Sequence, residues 1–341
     1  MKILFSDVTF SYLSPGGKQV HAAQLLRQLA AKGIDVAYET WHDPTLAPSL
    51  VHVFGYNDVE HLRLLKRRGI GLVYTHIMDG ITNQPAWRRR YHALKSRVVR
   101  RLPRRLEPLT PWRGLDLFDA CVYMHEADRQ TAIDVYGIDP AKTSVIPHGV
   151  EDVRLFQEQP FQDQPSTAGT GYLVSLGSIV PRKNPLFTAA ACGEANVPVV
   201  FVGHALDATS DYHRRFLETA RQAGAEVHTD VTPDRKLQLL ANASGFILLS
   251  RGESGCISVY EAAATGLPLL LADLPWAKGY ERPTCLEHCS PFDQHAAAAT
   301  IRDFHARARR QRQPTLHVRT WSEIADMYLD TYRRVLSRGP D

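Results

Sequence analysis

The chain has 341 residues, 44% hydrophobic and 22% charged, enough for two domains of ordinary size and free of low-complexity tracts. A net charge of +4 is too small to mark a nucleic-acid-binding protein; no apolar run approaches a bilayer span, and the run opening the chain is too short for a signal peptide. Five irregularly spaced cysteines form no disulfide framework in a chain this large, so a reducing cytosol is the expected compartment.

Lys2 to Phe5 reads as a first strand, and Ser14-Pro-Gly-Gly-Lys18 as a glycine loop. Gln19 to Lys32 carries Ala22, Leu25, Leu26 and Leu29 at helical spacing and stops at Gly33. With the strand Asp35 to Tyr38 this makes a βαβ unit. The adjacent Gly16 and Gly17 let a ligand approach the backbone, and Lys18 can add charge. The loop is neither the dinucleotide fingerprint nor a P-loop, which counts against a dehydrogenase. Val51 to Gly55 reads as a strand, then a helix from about Asn57 to Arg68, then the strand Gly71 to His76. His76 lies at a carboxyl end, where open α/β sheets bind ligands.

Residues 87–113 hold ten basic side chains against one acid, Glu107, so the rest of the chain is net acidic. Leu94, Val98, Val99 and Leu102 give a partial apolar stripe, and Trp87, Tyr91 and Trp112 flank the run. Such a helix fits peripheral contact with an anionic membrane face, or an anionic or lipid-linked acceptor, or simply a solvated surface. No stacking platform accompanies the charge, so nucleic acid is not expected.

Leu117 to Met124 reads as a strand, Glu126 to Tyr136 as a helix, and Gln157 to Gly171 as an aperiodic linker. Tyr172 to Gly177 opens a second domain as a strand. Pro181-Arg182-Lys183-Asn184-Pro185 follows, then a helix over Leu186 to Glu194, a strand over Val197 to Gly203, a helix over Asp211 to Gly224, and a short strand from Glu226. Cys285, His288 and Cys289 lack a fourth ligand and fit no zinc spacing. Thr320 to Leu336 is a final amphipathic helix.

The densest chemistry lies between. Gly245 to Leu249 reads as a buried strand, Ser250 to Cys256 as a tight loop, and Val259 to Thr265 as a helix ended by Gly266. Glu253 falls in the loop and Glu261 about two turns into the helix, roughly 12 Å apart if every intervening residue were helical. Ser254, Gly255 and Cys256 present backbone N–H groups that open the helix, where the dipole attracts a phosphate. Carboxylates accept hydrogen bonds from hydroxyls. A carboxylate, an anion nest and a second carboxylate describe a site for a nucleotide-sugar.

Glu253, seven residues, Glu261, followed by Ala-Ala-Ala-Thr-Gly-Leu-Pro268, resembles the retaining glycosyltransferases of the two-Rossmann-domain (GT-B) type, family 4. Val145-Ile-Pro-His-Gly-Val-Glu151 is similar to the family's Val-Ile-Pro-Asn-Gly-Val-Asp, with His148 for Asn, and Tyr74-Thr-His-Ile-Met-Asp79 to its Thr-x-His-Asp segment. Lys183-Asn184 matches half of the family's Arg/Lys phosphate motif; Ser178 stands at the Arg position and Arg182 is the obvious substitute.

The resemblance implies two doubly wound α/β domains facing across a cleft, residues 1–156 plus about 320–341 and residues 172–319, with the last helix crossing back to the first. It implies that Glu253 and His76 serve the transferring sugar, that Gly16, Gly17, Arg182, Lys183, Gly255, Cys256 and Ile257 cradle the donor, and that Glu261 holds the ribose. The implied reaction is retaining transfer from a UDP- or GDP-linked sugar to a hydroxyl acceptor. No Asp-x-Asp motif is present, so neither metal nor other cofactor is expected. A nucleotide-sugar epimerase of the same fold, or a non-catalytic partner subunit, stays open.

Overall fold

The computed structural model describes residues 1–7, 16–40, 43, 45–55, 58–76, 80–101, 111–151, 171–280, 283–308 and 315–337. Ser14 and Pro15, Ile77 to Asp79, most of the expected linker (157–170), and Leu102 to Thr110 within the basic segment lie outside the described residues, as do the side chains of Arg100, Trp112 and Arg113. The chain divides into two compact units, Met1–Gly149 with Trp321–Asp341, and Val150–Thr320.

The first unit holds β1 (Lys2–Ser6), α1 (Gly17–Ala31), β2 (Asp35–Tyr38), β3 (Leu50–Phe54), α2 (Val59–Arg67), β4 (Gly71–His76), α3 (Ala86–Arg100), β5 (Ala120–Tyr123), α4 (Glu126–Thr131) and β6 (Thr143–Val145). Its six strands are parallel, in the order β2-β1-β3-β4-β5-β6. β3 is buried along its whole length, which parallel sheets covered on both faces require. Two departures from the expected elements have local causes. The strand expected from Leu117 begins at Ala120, because Pro111–Leu117 closes into a 3-10 turn. The helix after β5 widens into a π-turn over Ala132–Tyr136 before Gly137 takes a left-handed φ of 61°. His125 caps that helix, its Nδ1 accepting from Ala127 N at 3.2 Å.

The second unit holds β7 (Leu173–Leu176), α5 (Pro185–Ala195), β8 (Val199–Val202), α6 (Asp211–Gln222), β9 (Glu226–His228), α7 (Pro233–Asn242), β10 (Gly245–Leu248), α8 (Ile257–Ala264), β11 (Leu269–Ala272), β12 (Leu286–Cys289) and α9 (Gln294–Ala308). Its strands are also parallel, ordered β12-β11-β10-β7-β8-β9, which is a Rossmann sheet. Strand order reverses between β7 and β10, so the loops leaving those strands flank the crevice where such sheets bind ligands. β12 carries His288 and Cys289, which the sequence reading weighed only as metal ligands; His288 Nε2 contacts the Ala277 carbonyl at 3.1 Å and Cys289 is buried.

The last helix, α10 (Trp321–Ser337), packs on α1 and β4 within the first unit. Trp321, Ile324, Tyr328, Leu329 and Tyr332 form its buried face. Gly149 is required where the chain meets it, since a Cβ there would stand 2.8 Å from the Trp321 backbone.

Beneath α10 runs a buried polar chain. Tyr332 Oη lies 2.7 Å from His52 Nδ1, His52 Nε2 2.6 Å from Thr75 Oγ1, Thr75 Oγ1 3.1 Å from Tyr328 Oη, Tyr328 Oη 3.1 Å from His21 Nε2, and His21 Nδ1 3.0 Å from His148 Nδ1. With every imidazole neutral, one donor serves each contact when all protons point the same way along the chain. Burial lowers the pKa of His21 well below the ordinary value and that of His52 to about 3.

Candidate active site

In the second unit the site grows from close backbone contacts at the switch point. A Cβ on Gly203, after β8, would fall 1.9 Å from the Gly177 carbonyl oxygen, so only glycine lets the β7 and β8 loops meet. Gly177 itself has φ 155° and lies against the stem of Lys183, whose Cδ would be 3.3 Å from an added Cβ. Pro181–Lys183 forms a 3-10 turn that Asn184 ends in the left-handed region, at φ 60°. Asn184 is buried, and its Nδ2 donates to the carbonyls of Leu249 and Pro291 at 3.2 Å each. That side chain ties the turn to the end of β10, and the backbone N–H of Arg251 donates to the Arg182 carbonyl at 2.8 Å. Arg182 and Lys183 are thereby delivered to the loop between β10 and α8.

Glu253 occupies that loop and is only 6% exposed. Lys183 Nζ lies 2.8 Å from its Oε1 and Arg182 Nη1 3.0 Å from its Oε2. Arg182 Nη1 also donates to the Gly252 carbonyl at 2.7 Å. Burial opposes the Glu253 charge, but Lys183 and then Arg182 outweigh it and hold the carboxyl below its ordinary pKa. Burial likewise opposes the Lys183 charge; the Cys256 sulfur and Glu253 outweigh it, and the ammonium titrates above its ordinary value. Glu253 and Lys183 are therefore both ionised at neutral pH.

The helix after the loop begins beside this cluster. Gly255 takes φ 56°, and Cys256 is the N-cap of α8 with no side-chain hydrogen bond closing the first turn. Lys183 Nζ reaches Cys256 Sγ at 3.4 Å, and Ser258 Oγ, 3.1 Å from that sulfur, donates to the Leu176 carbonyl at 3.2 Å. Ser258 thus pins the first turn of the helix to the end of β7. Two cations, the opening amides of α8 and the helix dipole converge on one side of the switch point, an arrangement that attracts a diphosphate.

Glu261 lies in the second turn of α8, because the helix begins at Ile257; it is not two full turns along, as expected, and the 253–261 interval is half loop and half helix. Its Oε1 accepts from Lys236 Nζ of α7 at 2.6 Å, and both side chains are partly exposed. Glu261 therefore stands in reach of solvent but apart from the Arg182–Lys183–Glu253 cluster, with its own cation.

Gly16, Gly17 and His76 belong to the first unit. Gly16 is the N-cap of α1 and Gly17 its first residue, again without a side-chain cap. Lys18 is held by Asp7 at the end of β1, at 2.6 Å, and would stand 3.9 Å from a Cβ on Gly55 after β3. It thus covers the β1/β3 reversal of that sheet. His76 ends β4, with Nδ1 3.1 Å from Tyr74 Oη and its ring 5.6 Å from that of Tyr123.

The structure therefore gathers Arg182, Lys183, Glu253, Gly255, Cys256 and Ile257 at one switch point, sets Glu261 farther along α8, and places Gly16, Gly17 and His76 in the other unit. Sequence reasoning missed three parts: Asn184 as the anchor of the cationic turn, Ser258 as the anchor of α8, and Lys236 as the partner of Glu261. Asn before Pro185 was a readable turn signal; the other two depend on contacts between distant segments.

Residues 156–314, just under half of the chain, match the family model described as glycosyl transferases group 1. Among solved structures the chain is similar to a glycosyltransferase from Rickettsia africae ESF-5, with 12% identity, TM-score 0.67 and 98% of each chain covered. It is similar to sucrose-phosphate synthase from Thermosynechococcus elongatus, with 14% identity, TM-score 0.68, and 99% of this chain and 100% of that one covered. It is also similar to HepE from Anabaena in complex with UDP and glucose, with 16% identity, TM-score 0.61, and 98% and 100% covered. No curated protein matches. At these identities the likeness is one of fold, and the fold is that of the GT-B glycosyltransferases, with two Rossmann-like domains.

Proposed function

We propose that this chain is a retaining glycosyltransferase of family 4 that moves a sugar from a UDP- or GDP-linked donor to a hydroxyl acceptor. The observation that carries the reading is the Arg182–Glu253–Lys183 closure beside the uncapped start of α8. The group 1 family match over 156–314 spans the same residues.

In this reading the donor diphosphate takes the two cations that now sit on Glu253. Breaking the bond between the anomeric carbon and the phosphate oxygen leaves negative charge on the nucleoside diphosphate, and Arg182, Lys183 and the α8 amides stabilise it. Glu253, released toward the sugar, orients its hydroxyls. Glu261 holds the ribose hydroxyls, exchanging Lys236 for them. The acceptor oxygen bonds the anomeric carbon from the face the phosphate leaves, and its proton passes to the departing phosphate oxygen. Gly16, Gly17 and His76 serve the sugar and the acceptor. The paired cations supply the charge that a metal ion supplies elsewhere, so transfer proceeds in the presence of a chelator.

The test is a thermal-shift screen with UDP-, GDP-, ADP- and TDP-sugars, followed by product analysis with and without hydroxyl acceptors and EDTA. A donor that raises the melting point and is consumed with retention only when an acceptor is present supports the reading. Conversion of donor without acceptor would assign an epimerase, and no shift with any donor would assign a non-catalytic subunit.

A further inference from the structure

Four of the large hydrophobic side chains left exposed on this chain lie on one helix. Trp87 is 65% exposed, Tyr91 60%, Leu94 60% and Val98 54%, all on α3. Their spacing of four, three and four residues stacks them along one stripe of an α-helix. On a helical wheel Arg88 and Lys95 flank the stripe on one side, and Arg90, Arg97 and Arg101 on the other; all five are exposed. Arg88 additionally lies over the Trp87 ring, 5.0 Å from its centroid. The helix contains no acidic residue, whereas solvated surface helices interleave both signs.

The opposite side of α3 packs inward. Ser96 is buried, and the helix lies against the π-turn Ala132–Tyr136. Between them opens a groove of about 750 Å³ lined by Arg89, Arg90, Arg97 and Arg101, with Asp134 on its far wall. The Asp134 carboxylate accepts from Gln130 Nε2 at 2.9 Å. The buried Nε of Arg89 has no hydrogen-bond partner among the described residues. An anionic acceptor in the groove would satisfy that donor.

We propose that α3 docks this protein on the surface of a bilayer containing anionic phospholipid. The ridge Trp87, Tyr91, Leu94 and Val98 enters the boundary between headgroups and acyl chains, and the flanking cations lie at the level of the phosphates. Charge complementarity selects this occupant: a protein partner fitted to so wide a cationic border would need an equally continuous acidic face, which an anionic membrane presents everywhere. The groove beside the ridge receives a headgroup phosphate, whose oxygens accept from Arg89 Nε and from the forks of Arg90, Arg97 and Arg101. No described helix is long and apolar enough to cross a membrane, so α3 lies on the surface.

The test is flotation of the full chain with vesicles of phosphatidylcholine alone or with 30% phosphatidylglycerol (about the anionic fraction at which surface potential matters). Wild type is expected to float with the anionic vesicles roughly tenfold more than with neutral ones, and less as salt rises. The double variant Trp87→Ser/Leu94→Ser is expected to lose roughly tenfold in partitioning with an unchanged melting point, since both side chains are exposed. Arg90→Gln/Arg97→Gln is expected to flatten the salt dependence. Equal binding to neutral vesicles, no flotation, or undiminished flotation of the ridge variant would overturn the proposal. Complete displacement by soluble inorganic phosphate would reassign the groove to a free anion. Concentration-dependent dimerisation abolished by the ridge variant would reassign the stripe to a second copy of the chain.

Discussion

Lys183 Nζ stands 2.8 Å from Glu253 Oε1 in a site that the chain builds from two loops seventy residues apart. The carboxylate acts as an internal anion for both cations, which the proposed function assigns to the donor diphosphate. This gives Glu253→Gln an unusual signature. Nucleoside-diphosphate affinity is expected to stay constant or rise, because a competitor for Lys183 and Arg182 is gone, while turnover falls at least ~100-fold. Calorimetry with UDP and GDP set beside initial rates checks this; parallel losses in both would contradict the assigned roles.

Removing the other partner has the opposite effect. Lys183→Met leaves Glu253 buried with only the half-exposed Arg182 to compensate it, so the fold is expected to lose about 3 kcal/mol at pH 7. Nucleotide affinity is expected to fall by tenfold or more at about 1.4 kcal/mol per decade. Denaturant melts of the single and double variants with Glu253→Gln check the coupling; in the double variant most of the lost stability is expected to return.

Glu261 and Lys236 form a separate pair on α8 and α7. Glu261→Ala is expected to raise the Kd for UDP or GDP by about tenfold, the loss of one or two hydrogen bonds to a charged acceptor, with a smaller effect on turnover. Lys236→Ala frees the carboxylate and is expected to leave binding intact or improve it. Titration of both variants against wild type separates the cases; a Lys236→Ala defect equal to that of Glu261→Ala would show that lysine, not the carboxylate, meets the ligand.

The buried histidines fix the pH response of the first unit. His21, His52 and His125 all titrate below the ordinary 6.5, His52 at about 3 and His125 at about 4, with burial as the leading cause. Below about pH 6.5 the unfolded chain binds protons that the native state refuses, so stability falls as pH falls, by ~1.4 kcal/mol per pH unit for each group. His61, raised by its hydrogen bond to Glu39, works in the opposite sense only above about pH 6.5, where the native state alone holds the proton, and adds no slope below it. Melting temperature is therefore expected to drop between pH 7.5 and 5.5, and His52→Gln to flatten that slope while lowering stability at pH 7.5. A flat profile in the wild type would contradict a neutral network.

Much of this was legible in the sequence because it is local. Apolar runs bounded by Gly and Pro marked most strands, and Gly-ended helices such as α1 and α8 were placed within two residues. The 245–261 stretch disclosed its loop and its two carboxylates because strand, loop and helix are contiguous there. The ion pairs were not legible, since nothing local says that Arg182 and Lys183 fold back onto Glu253 rather than out to solvent. The His–Thr–Tyr chain was invisible for the same reason: its members come from α1, β3, β4, the segment after β6, and α10. β12 was missed because Leu286 to Cys289 is too polar to stand out as a strand until β11 is beside it. The α3 stripe was partly legible; Leu94 and Val98 were read into it, but the strongest periodicity included Trp87 and Tyr91, which had been treated only as flanking residues.

The central claim is that two cations parked on Glu253 form the seat of a donor diphosphate. Calorimetric titration of UDP and GDP in EDTA-containing buffer, comparing wild type with the Arg182→Ala/Lys183→Ala double variant, tests it most directly. The account predicts saturable binding of at least one nucleotide by the wild type and at least ~100-fold weaker binding by a double variant that still melts cooperatively. Binding that survives loss of both side chains, or a folded wild type that takes neither nucleotide, would contradict it.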